Sequence, residues 1–219
     1  MKIGIIGGTG DIGQGLALRI SDKHEIILGS RDPAKAVEAA ESIIATLKKR
    51  GTVSSCRGTS NEEACKAADL IIISLPFQHV ASTLAGIDPK YIAGKIVISP
   101  VNPMIRKDGF FYNNPPEEGS AALAIRKMLP ESAKLVTAFN NIAARKWTIL
   151  DEVLDYTVAV CGDDAEAKKT VIKLVRETSQ LYGLDAGPLA VSGIVESITP
   201  LAINIAQING LKDLGVYIK

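Results

Sequence analysis

The stretch that most constrains this chain is its amino terminus, where residues 1–20 read MKIGIIGGTGDIGQGLALRI. A short apolar run at 3–6 is followed by a glycine-rich turn, and then by apolar residues at helical spacing. The turn fits G-x-G-x-x-G from Gly8 to Gly13, which is typical of dinucleotide binding when it joins a strand to a helix. A pyrophosphate at the helix start is therefore predicted to contact Gly8, Thr9, Gly10, Asp11, Ile12 and Gly13.

Composition narrows the class of protein. The 219 residues allow one large domain, or one domain with a small appendage. The net charge is only +1, so nucleic acid and anionic membrane surfaces are not expected as partners. The apolar run after Lys2 is short and no segment approaches the length of a membrane span, so we expect a cytoplasmic protein without a signal peptide. Cys56, Cys65 and Cys161 lack C-x-x-C spacing, so reduced thiols are expected rather than a metal site.

The end of the second predicted strand, at residues 24–29, indicates which dinucleotide is bound. An NAD-specific fold usually places an acid there to hold the ribose 2′-hydroxyl. This chain has Ser30 and Arg31 instead, with Lys35 one turn further on. A hydroxyl and a guanidinium suit a 2′-phosphate, which an acid would repel. We therefore predict NADP(H) rather than NAD(H), and interpret Asp32 as the cap of the following helix.

The rest of the chain alternates between apolar runs and helical patterns. Further strands are predicted at 53–59, 69–74, 96–99, 134–138 and 157–161, a short extended segment at 184–188, and helices at 33–50, 61–68, 120–129 and 165–182. Residues 100–119, rich in Pro, Asn and Gly, are predicted to form a long irregular functional loop. The alternation predicts an α/β fold of the Rossmann type, with a doubly wound, mostly parallel sheet and a small C-terminal α/β extension.

The last predicted helix, at 191–208, is the most apolar of the chain. Its apolar residues surround the helix, so we expect it to be buried nearly all round, as core, subunit interface or both. A homodimer is the preferred oligomeric state.

The chain has two histidines, His24 and His79. His79 follows Leu75 and Pro76 at the carboxyl edge of a strand, where ligands bind in such folds. It is the better candidate for contact with the cofactor, although a structural role at a helix start is equally consistent with its position. His24 precedes a strand far from that edge and is predicted to lie on the surface.

Several segments together resemble one family. They are GGTGDIG near the start, GSR after the second strand, VCGDD at 160–164, DAGPL at 185–189, VESITPL at 195–201 and NGLKDLG at 209–215. Together they look like the archaeal and actinobacterial NADP oxidoreductases that use the deazaflavin coenzyme F420. The similarity covers nearly the whole chain, and its tail motifs are more specific than its glycines.

The resemblance implies where two coenzymes would bind. The NADP 2′-phosphate would lie at Ser30 and Arg31 with Thr9 nearby, and the nicotinamide near Leu75, Pro76 and Ala138. The deazaflavin would stack on the nicotinamide in a pocket formed by Val101, Asn140, Ile142, Asn209, Gly210 and Leu211. Accordingly, we assign residues 1–139 to an NADP-binding Rossmann domain. Residues 140–219 form a smaller part that completes the second pocket and contacts a dimer partner.

The chain departs from the family pattern at two places. Asp11 stands where an Asn is expected, so this acid must point away from the pyrophosphate or cap the helix. Asn140 and Asn141 stand where the family often has His-Thr. An Asn-containing version of this segment also resembles the NADPH domain of membrane metalloreductases, which pass electrons to flavin.

Hydride transfer from nicotinamide C4 to deazaflavin C5, or the reverse, needs no protein nucleophile, and the sequence contains no Ser/His/Asp set and no metal-ligand cluster. We therefore predict no catalytic acid or base, with Asn140 and backbone amides tuning the ring electronics. One alternative is an NADPH-dependent reductase of another flavin, an imine or a carbonyl compound, with His79 as proton donor. Another is a non-catalytic NADP-sensing module.

Overall fold

An eight-stranded sheet forms the centre of the computed structural model, which describes residues 1–218, and two further strands form a separate hairpin. The strands are β1 (Lys2–Ile6), β2 (Glu25–Ser30), β3 (Ser55–Ser60), β4 (Leu70–Ile73), β5 (Ile96–Ser99), β6 (Met104–Lys107), β7 (Phe110–Asn113), β8 (Lys134–Thr137), β9 (Thr157–Gly162) and β10 (Tyr182–Gly187). The helices are α1 (Asp11–Ile20), α2 (Pro33–Lys49), α3 (Asn61–Ala67), α4 (Phe77–Leu84), α5 (Ala121–Met128), α6 (Ala144–Thr148), α7 (Ala165–Glu177) and α8 (Ser192–Asn209). Short 3-10 turns occupy Pro89–Tyr91 and Leu189–Val191. Lys219, the last residue of the predicted C-terminal part, lies outside the described residues.

The order of strands confirms the predicted Rossmann-type sheet. It runs β10-β9-β8-β5-β4-β1-β2-β3, and its neighbours are parallel except for the antiparallel pair β8 and β9. The chain begins in the middle at β1, moves outward to β3, and then returns to β4 on the other side of β1. The order therefore reverses beside β1, and ligands bind at the carboxyl ends of the strands at such a point.

Contiguous apolar residues make the central strands buried on both faces. Ile5 and Ile72 belong to the core under α1, α2 and α7, whereas Ile6 and Ile73 belong to the core under α4 and α5. This alternation follows from the two-residue period of a strand. A parallel sheet covered by helices on both sides needs such runs, so β1 and β4 could be predicted directly from sequence.

The short helix α6 was not predicted, and tertiary contacts hold it in place. Gly15 of α1 lets the two helices touch, because a Cβ at that position would lie 2.1 Å from the Cβ of Trp147. Arg19 donates hydrogen bonds to four backbone carbonyls between Lys146 and Glu152. These contacts bring the segment after β8 next to the glycine turn.

The region predicted as one irregular loop, 100–119, instead contains the hairpin of β6 and β7. Its turn is formed by Asp108 and Gly109, which have φ values of 50° and 85°. An Asp-Gly pair is a strong signal for a hairpin turn, but the surrounding Pro and Asn residues obscured it. The side chain of Asn204 in α8 holds the hairpin, accepting from the N–H and donating to the carbonyl of Phe111, at 2.8 and 2.7 Å.

The prediction that the last helix is buried nearly all round was wrong. Ile194, Leu201 and Ile208 of α8 are 70, 59 and 68% exposed. Apolar composition does not reveal which side of a helix its neighbours cover. Residues Leu189–Asn209 are also long and apolar enough to cross a membrane, so the prediction that no segment approaches that length was wrong as well. Length and composition alone do not distinguish a span from a helix of a globular fold.

Two further predictions need correction. His24 does not lie free on the surface, because its side chain is only 8% exposed and its Nε2 lies 2.8 Å from Glu177 Oε2. Helix α7 ends at Glu177 rather than at Tyr182, since Ser179 takes a positive φ of 58° and the chain turns into β10.

The three cysteines are free and buried. Burial raises the pKa of Cys56 and of Cys65 to about 12, so both thiols stay protonated and unreactive at neutral pH. Within residues 1–218, no group of three or more His, Cys, Asp or Glu side chains converges on one point.

Candidate active site

The glycine turn joins the carboxyl end of β1 to α1. The N–H of Gly8 donates to the carbonyl of Gly29 at 2.8 Å, which holds the turn against β2. A Cβ on Gly13 would lie 2.7 Å from the Cα of Gly8, so close packing between turn and helix requires glycine there. A Cβ on Gly10 would approach only the carbonyl of Gly7, at 3.5 Å. The outer side of the turn is therefore open to a ligand.

The amino end of α1 is free of side-chain caps. Gly10 is the N-cap and offers no side chain, so the first-turn N–H groups and the positive end of the helix dipole face the cleft. This fits the pyrophosphate of a dinucleotide. Of the two roles expected for Asp11, capping does not occur: its side chain is exposed and lines the cleft beside the turn.

The residues predicted to select NADP(H) lie together at the end of β2. Ser30 is buried, and its hydroxyl accepts from the N–H of Asp32 at 3.2 Å. Asp32 caps α2 by accepting from the N–H of Ala34 at 3.1 Å, which confirms its structural role. Arg31 and Lys35 are exposed and form no ion pair with any of residues 1–218. Two unpaired cations at this edge fit a phosphate group.

A cleft of about 590 Å³ opens at the carboxyl ends of β1, β4 and β5. It contains Leu75 and Pro76, as predicted for the nicotinamide. Val101, which was predicted for the deazaflavin pocket, lines this cleft instead. His79 is exposed on α4 and Ala138 is fully buried, and neither of them lines the cleft.

A second cavity, of about 450 Å³, lies between α6, α8 and the tail of the chain. It brings together Asn140, Ile142 and Leu211, as predicted. Asn209 and Gly210 do not line it. Gly210 ends α8 in the left-handed conformation, with φ 63° and ψ 21°, and turns the chain so that Leu211 reaches the cavity.

The cleft and the second cavity share a wall. The four residues that line both are Ile12, Asn102, Met104 and Ala144. Asn102 and Met104 were not named individually from the sequence, but both lie in the stretch 100–119 that was predicted to be functional, and Asn102 lies within residues 100–103, which were predicted to border the second-substrate pocket. The shared wall carries no ionisable side chain. Of the residues lining either space, the ionisable ones are Asp11, Arg145, Lys212 and Asp213.

A network of amides joins three distant parts of the chain at this wall. The Nδ2 of Asn140 donates to the carbonyl of Val101 and to Asn102 Oδ1, both at 3.2 Å. The backbone carbonyl of Asn140 accepts from Asn102 Nδ2 at 2.8 Å and from Thr199 Oγ1 at 2.5 Å. The network fixes α8 and the loops after β5 and β8 relative to one another. Thr199, also not named as a site residue from the sequence, belongs to the site for this reason.

Two side-chain oxygens in the second cavity have no partner. The Nδ2 of Asn141 donates to the carbonyl of Thr157 at 2.9 Å, but its Oδ1 is buried without a hydrogen bond within residues 1–218. The Oδ1 of Asn140 is in the same situation. Both oxygens are inaccessible to solvent, so they stabilise no ligand in the open part of the cavity. What the cavity offers a ligand is mainly apolar contact, from residues such as Ile142, Ile203 and Leu211.

The tail of the chain, residues 211–218, forms a strap over the second cavity. Asp213 Oδ2 lies 3.1 Å from Arg145 Nη1, and the carbonyl of Asp213 accepts from the hydroxyl of Tyr156 at 3.2 Å. The N–H of Thr157 donates to the carbonyl of Val216 at 2.8 Å. Gly215 packs on Tyr156 so tightly that a Cβ would lie 1.8 Å from the ring. The strap closes one side of the cavity.

Comparison with known proteins finds relatives over the whole chain. Residues 2–103 match the family described as NADP oxidoreductase, coenzyme F420-dependent. An F420-dependent NADP reductase of Methanocaldococcus jannaschii is 40% identical over 94% of this chain and 92% of its own length. A protein of the same name from Methanothermobacter thermautotrophicus is 32% identical over 100% of this chain and 94% of its own.

A solved structure shares the fold. The crystal structure of an Arthrobacter sp. FB24 protein, assigned to the F420-dependent NADP reductases, matches with a TM-score of 0.82. The match covers 100% of this chain and 99% of that chain. At 24% identity it supports the architecture described above, including the mostly parallel sheet.

Proposed function

The chain belongs to the family of F420-dependent NADP reductases, and we propose that it transfers a hydride directly between NADP(H) and the 8-hydroxy-5-deazaflavin coenzyme F420. One observation carries the proposal: a dinucleotide cleft and a second cavity share the wall of Ile12, Asn102, Met104 and Ala144. Ligands bound in two adjoining spaces meet at such a wall, and hydride transfer requires that contact.

The first cleft is proposed to hold NADP(H). Arg31 and Lys35, both free of ion pairs within residues 1–218, would bind the 2′-phosphate beside Ser30. The uncapped amino end of α1 would bind the pyrophosphate, with Thr9 close by. Leu75 and Pro76 would contact the nicotinamide. Roles for His79 and Ala138 rest on the sequence alone.

The second cavity is proposed to hold the deazaflavin. Asn140 and Asn141 line the cavity at the carboxyl end of β8. Ile142 and Leu211 supply apolar contact and exclude water.

The protein contributes position rather than proton transfer. When bound, the two coenzymes themselves supply the hydride donor and acceptor. The residues that border both spaces carry no ionisable side chain, so none of them can take or give a proton. The amides of Asn102 and Asn140 hold the loops that form the wall, and this sets the distance between the two spaces.

The proposal includes the organisation of the chain. Residues 1–139 would bind NADP(H), and residues 140–219 would complete the second pocket. The exposed apolar face of α8, together with Phe110 and Tyr112 of the hairpin, supports a homodimer, because contiguous exposed apolar surface marks an interface. A second copy of the chain is the proposed occupant, and the protein is proposed to be cytoplasmic and free of the membrane.

The function is tested by mixing the purified protein with NADPH and offering oxidised F420 or FMN in turn. We expect NADPH oxidation coupled to loss of the deazaflavin absorbance band with F420, and little turnover with FMN. Turnover with FMN alone would identify a reductase of another flavin. Tight NADPH binding without turnover of either would identify a non-catalytic sensor.

A further inference from the structure

Helix α8 carries one ionisable side chain, Glu196, which none of the roles above uses. Glu196 is fully buried, at 0% exposed. Its Oε2 accepts from the N–H of Ala121 at 2.7 Å, and its Oε1 accepts from the N–H of Ala122 at 2.9 Å. Ala121 and Ala122 are the first two residues of α5. A carboxylate from one helix therefore binds the positive end of another.

Two neighbouring contacts reinforce this junction. The hydroxyls of Ser192 and Ser120 lie 2.8 Å apart and are buried. Gly193 approaches the loop before α5 so closely that a Cβ would lie 2.8 Å from the carbonyl oxygen of Gly119. Ser192, Gly193 and Glu196 thus dock the amino half of α8 on the start of α5.

The same helix forms a wall of the second cavity less than one turn further on. Thr199, Ala202 and Ala206 line that cavity, and Thr199 bonds the carbonyl of Asn140. Residues three apart lie on the same side of a helix, so Glu196 and Thr199 are neighbours on α8. A displacement of the helix at Glu196 would therefore move the cavity wall.

This inference rests on the function proposed above. We propose that Glu196 is a positioning residue for the second substrate: its carboxylate, bound to the amino end of α5, sets the position of α8 and so the shape of the pocket that receives the deazaflavin. Within residues 1–218, the NADP(H) cleft contains no residue of α8 and is linked to the helix only through Asn102, so we expect a much smaller effect on NADP(H).

Within residues 1–218, no cation pairs with Glu196. On α5, Arg126 bonds three backbone carbonyls between Leu129 and Ala133, and Lys127 pairs with Glu118. Strand β7, which also packs on α8, contributes the phenol of Tyr112, and the turn Leu189–Val191 contributes no ionisable group. The nearby thiol of Cys161 stays neutral, since burial raises its pKa.

Protonation should weaken the junction. Burial raises the pKa of Glu196 to about 7, although the hydrogen bonds from the two backbone N–H groups lower it. An ionised carboxylate accepts both N–H groups, whereas a neutral carboxyl carries a proton on one oxygen and loses one good acceptor. We expect the affinity for F420 to fall as the pH drops from 8 to 6, while the affinity for NADPH does not follow this change.

The test compares wild type, Glu196→Gln and the control Glu118→Gln at pH 6, 7 and 8. Glu118 precedes the same helix but lies outside both ligand spaces. The measurements are the Kd of F420 without NADPH, from its fluorescence, and the KM of each coenzyme. At pH 8 we expect Glu196→Gln to raise the Kd and KM for F420 about tenfold, the equivalent of one lost hydrogen bond to a charged group. The KM for NADPH should stay within about twofold. The pH dependence of F420 binding should be weaker in Glu196→Gln than in Glu118→Gln, which retains both the Glu196 carboxyl and the titration of the F420 hydroxyl itself.

Amide hydrogen exchange at Ala121 and Ala122 gives a readout that needs neither coenzyme. Exchange there should be faster in Glu196→Gln and unchanged in Glu118→Gln. Unaltered F420 affinity in Glu196→Gln, or an equal loss for F420 and NADPH, would overturn the inference. Failure of the wild type to turn over F420 would instead overturn the proposed function, and the exchange result would show separately whether the junction itself exists.

Discussion

At the residue scale, we propose that selectivity for NADP(H) depends on a few side chains at the end of β2. Arg31 is exposed and without an ion pair in the described chain, so its guanidinium is available to a phosphate. We predict that Arg31→Ala weakens the binding free energy of NADPH by roughly 1.5–3 kcal/mol, the contribution of a hydrogen bond to a charged group. The binding of NADH should stay nearly unchanged. Isothermal titration of both coenzymes measures the difference.

A suitable control for Arg31 is Arg50→Ala. Arg50 caps the opposite end of α2 and pairs with Asp151, away from the phosphate edge. Arg50→Ala should leave the affinities for NADPH and NADH unchanged. If Arg31→Ala weakens NADPH and NADH equally, the 2′-phosphate lies elsewhere.

Residues of the glycine turn and the end of β2 could be predicted because their signals are local. The glycine spacing, the missing acid and the Asp-Pro cap each lie within a few positions of one another. The network of Asn102, Asn140 and Thr199 could not be predicted in this way. In the chain, Asn102 lies 38 residues before Asn140, and Thr199 lies 59 residues after it. Only the folded sheet and α8 bring these three residues together.

The strap over the second cavity is the element most sensitive to a small change. Gly215 lies against Tyr156, where a Cβ would come within 1.8 Å of the ring. We predict that Gly215→Val displaces the strap and raises the KM for F420 severalfold, because Leu211 and Leu214 would leave the cavity. The KM for NADPH should not change, since the strap does not line its cleft.

Steady-state kinetics with each coenzyme varied in turn would check the role of the strap. Gly86→Ala serves as the control, because a Cβ there would meet only the carbonyl of Thr83, at an ordinary 3.6 Å. A Gly215→Val variant with unchanged KM for F420 would show that the strap does not close the pocket.

Among the elements, those with a continuous or periodic apolar pattern were predictable. Strands β1, β4 and β5 are buried on both faces, and apart from Lys2 at the start of β1 and Ser99 at the end of β5 their residues are apolar or glycine. Helix α6 has only five residues and depends on the distant side chain of Arg19, so no local pattern marks it. The antiparallel direction of β9 likewise depends on how the segment after β8 packs rather than on the composition of the strand.

On the scale of the whole molecule, the exposed face of α8 points to a second copy of the chain. We predict that the wild type sediments as a dimer and that Leu201→Lys shifts it toward monomer, because a buried charge without a partner is costly at an apolar interface. Val37→Lys, which places the same charge on an exposed site of α2, should leave the dimer intact. Sedimentation equilibrium distinguishes the two. A wild type that is monomeric throughout would exclude this interface.

The central claim is direct transfer between coenzymes that meet where the two spaces adjoin, and isotope tracing tests it most directly. NADPH deuterated at C4 of the nicotinamide, on each face in turn, would be reacted with F420 in ordinary water, and the reduced deazaflavin analysed by mass spectrometry and NMR. The account predicts that one of the two labelled faces delivers its deuterium to C5 of the deazaflavin, without dilution by solvent hydrogen. Ordinary hydrogen at C5 with both labels would contradict direct transfer and require an intermediate carrier.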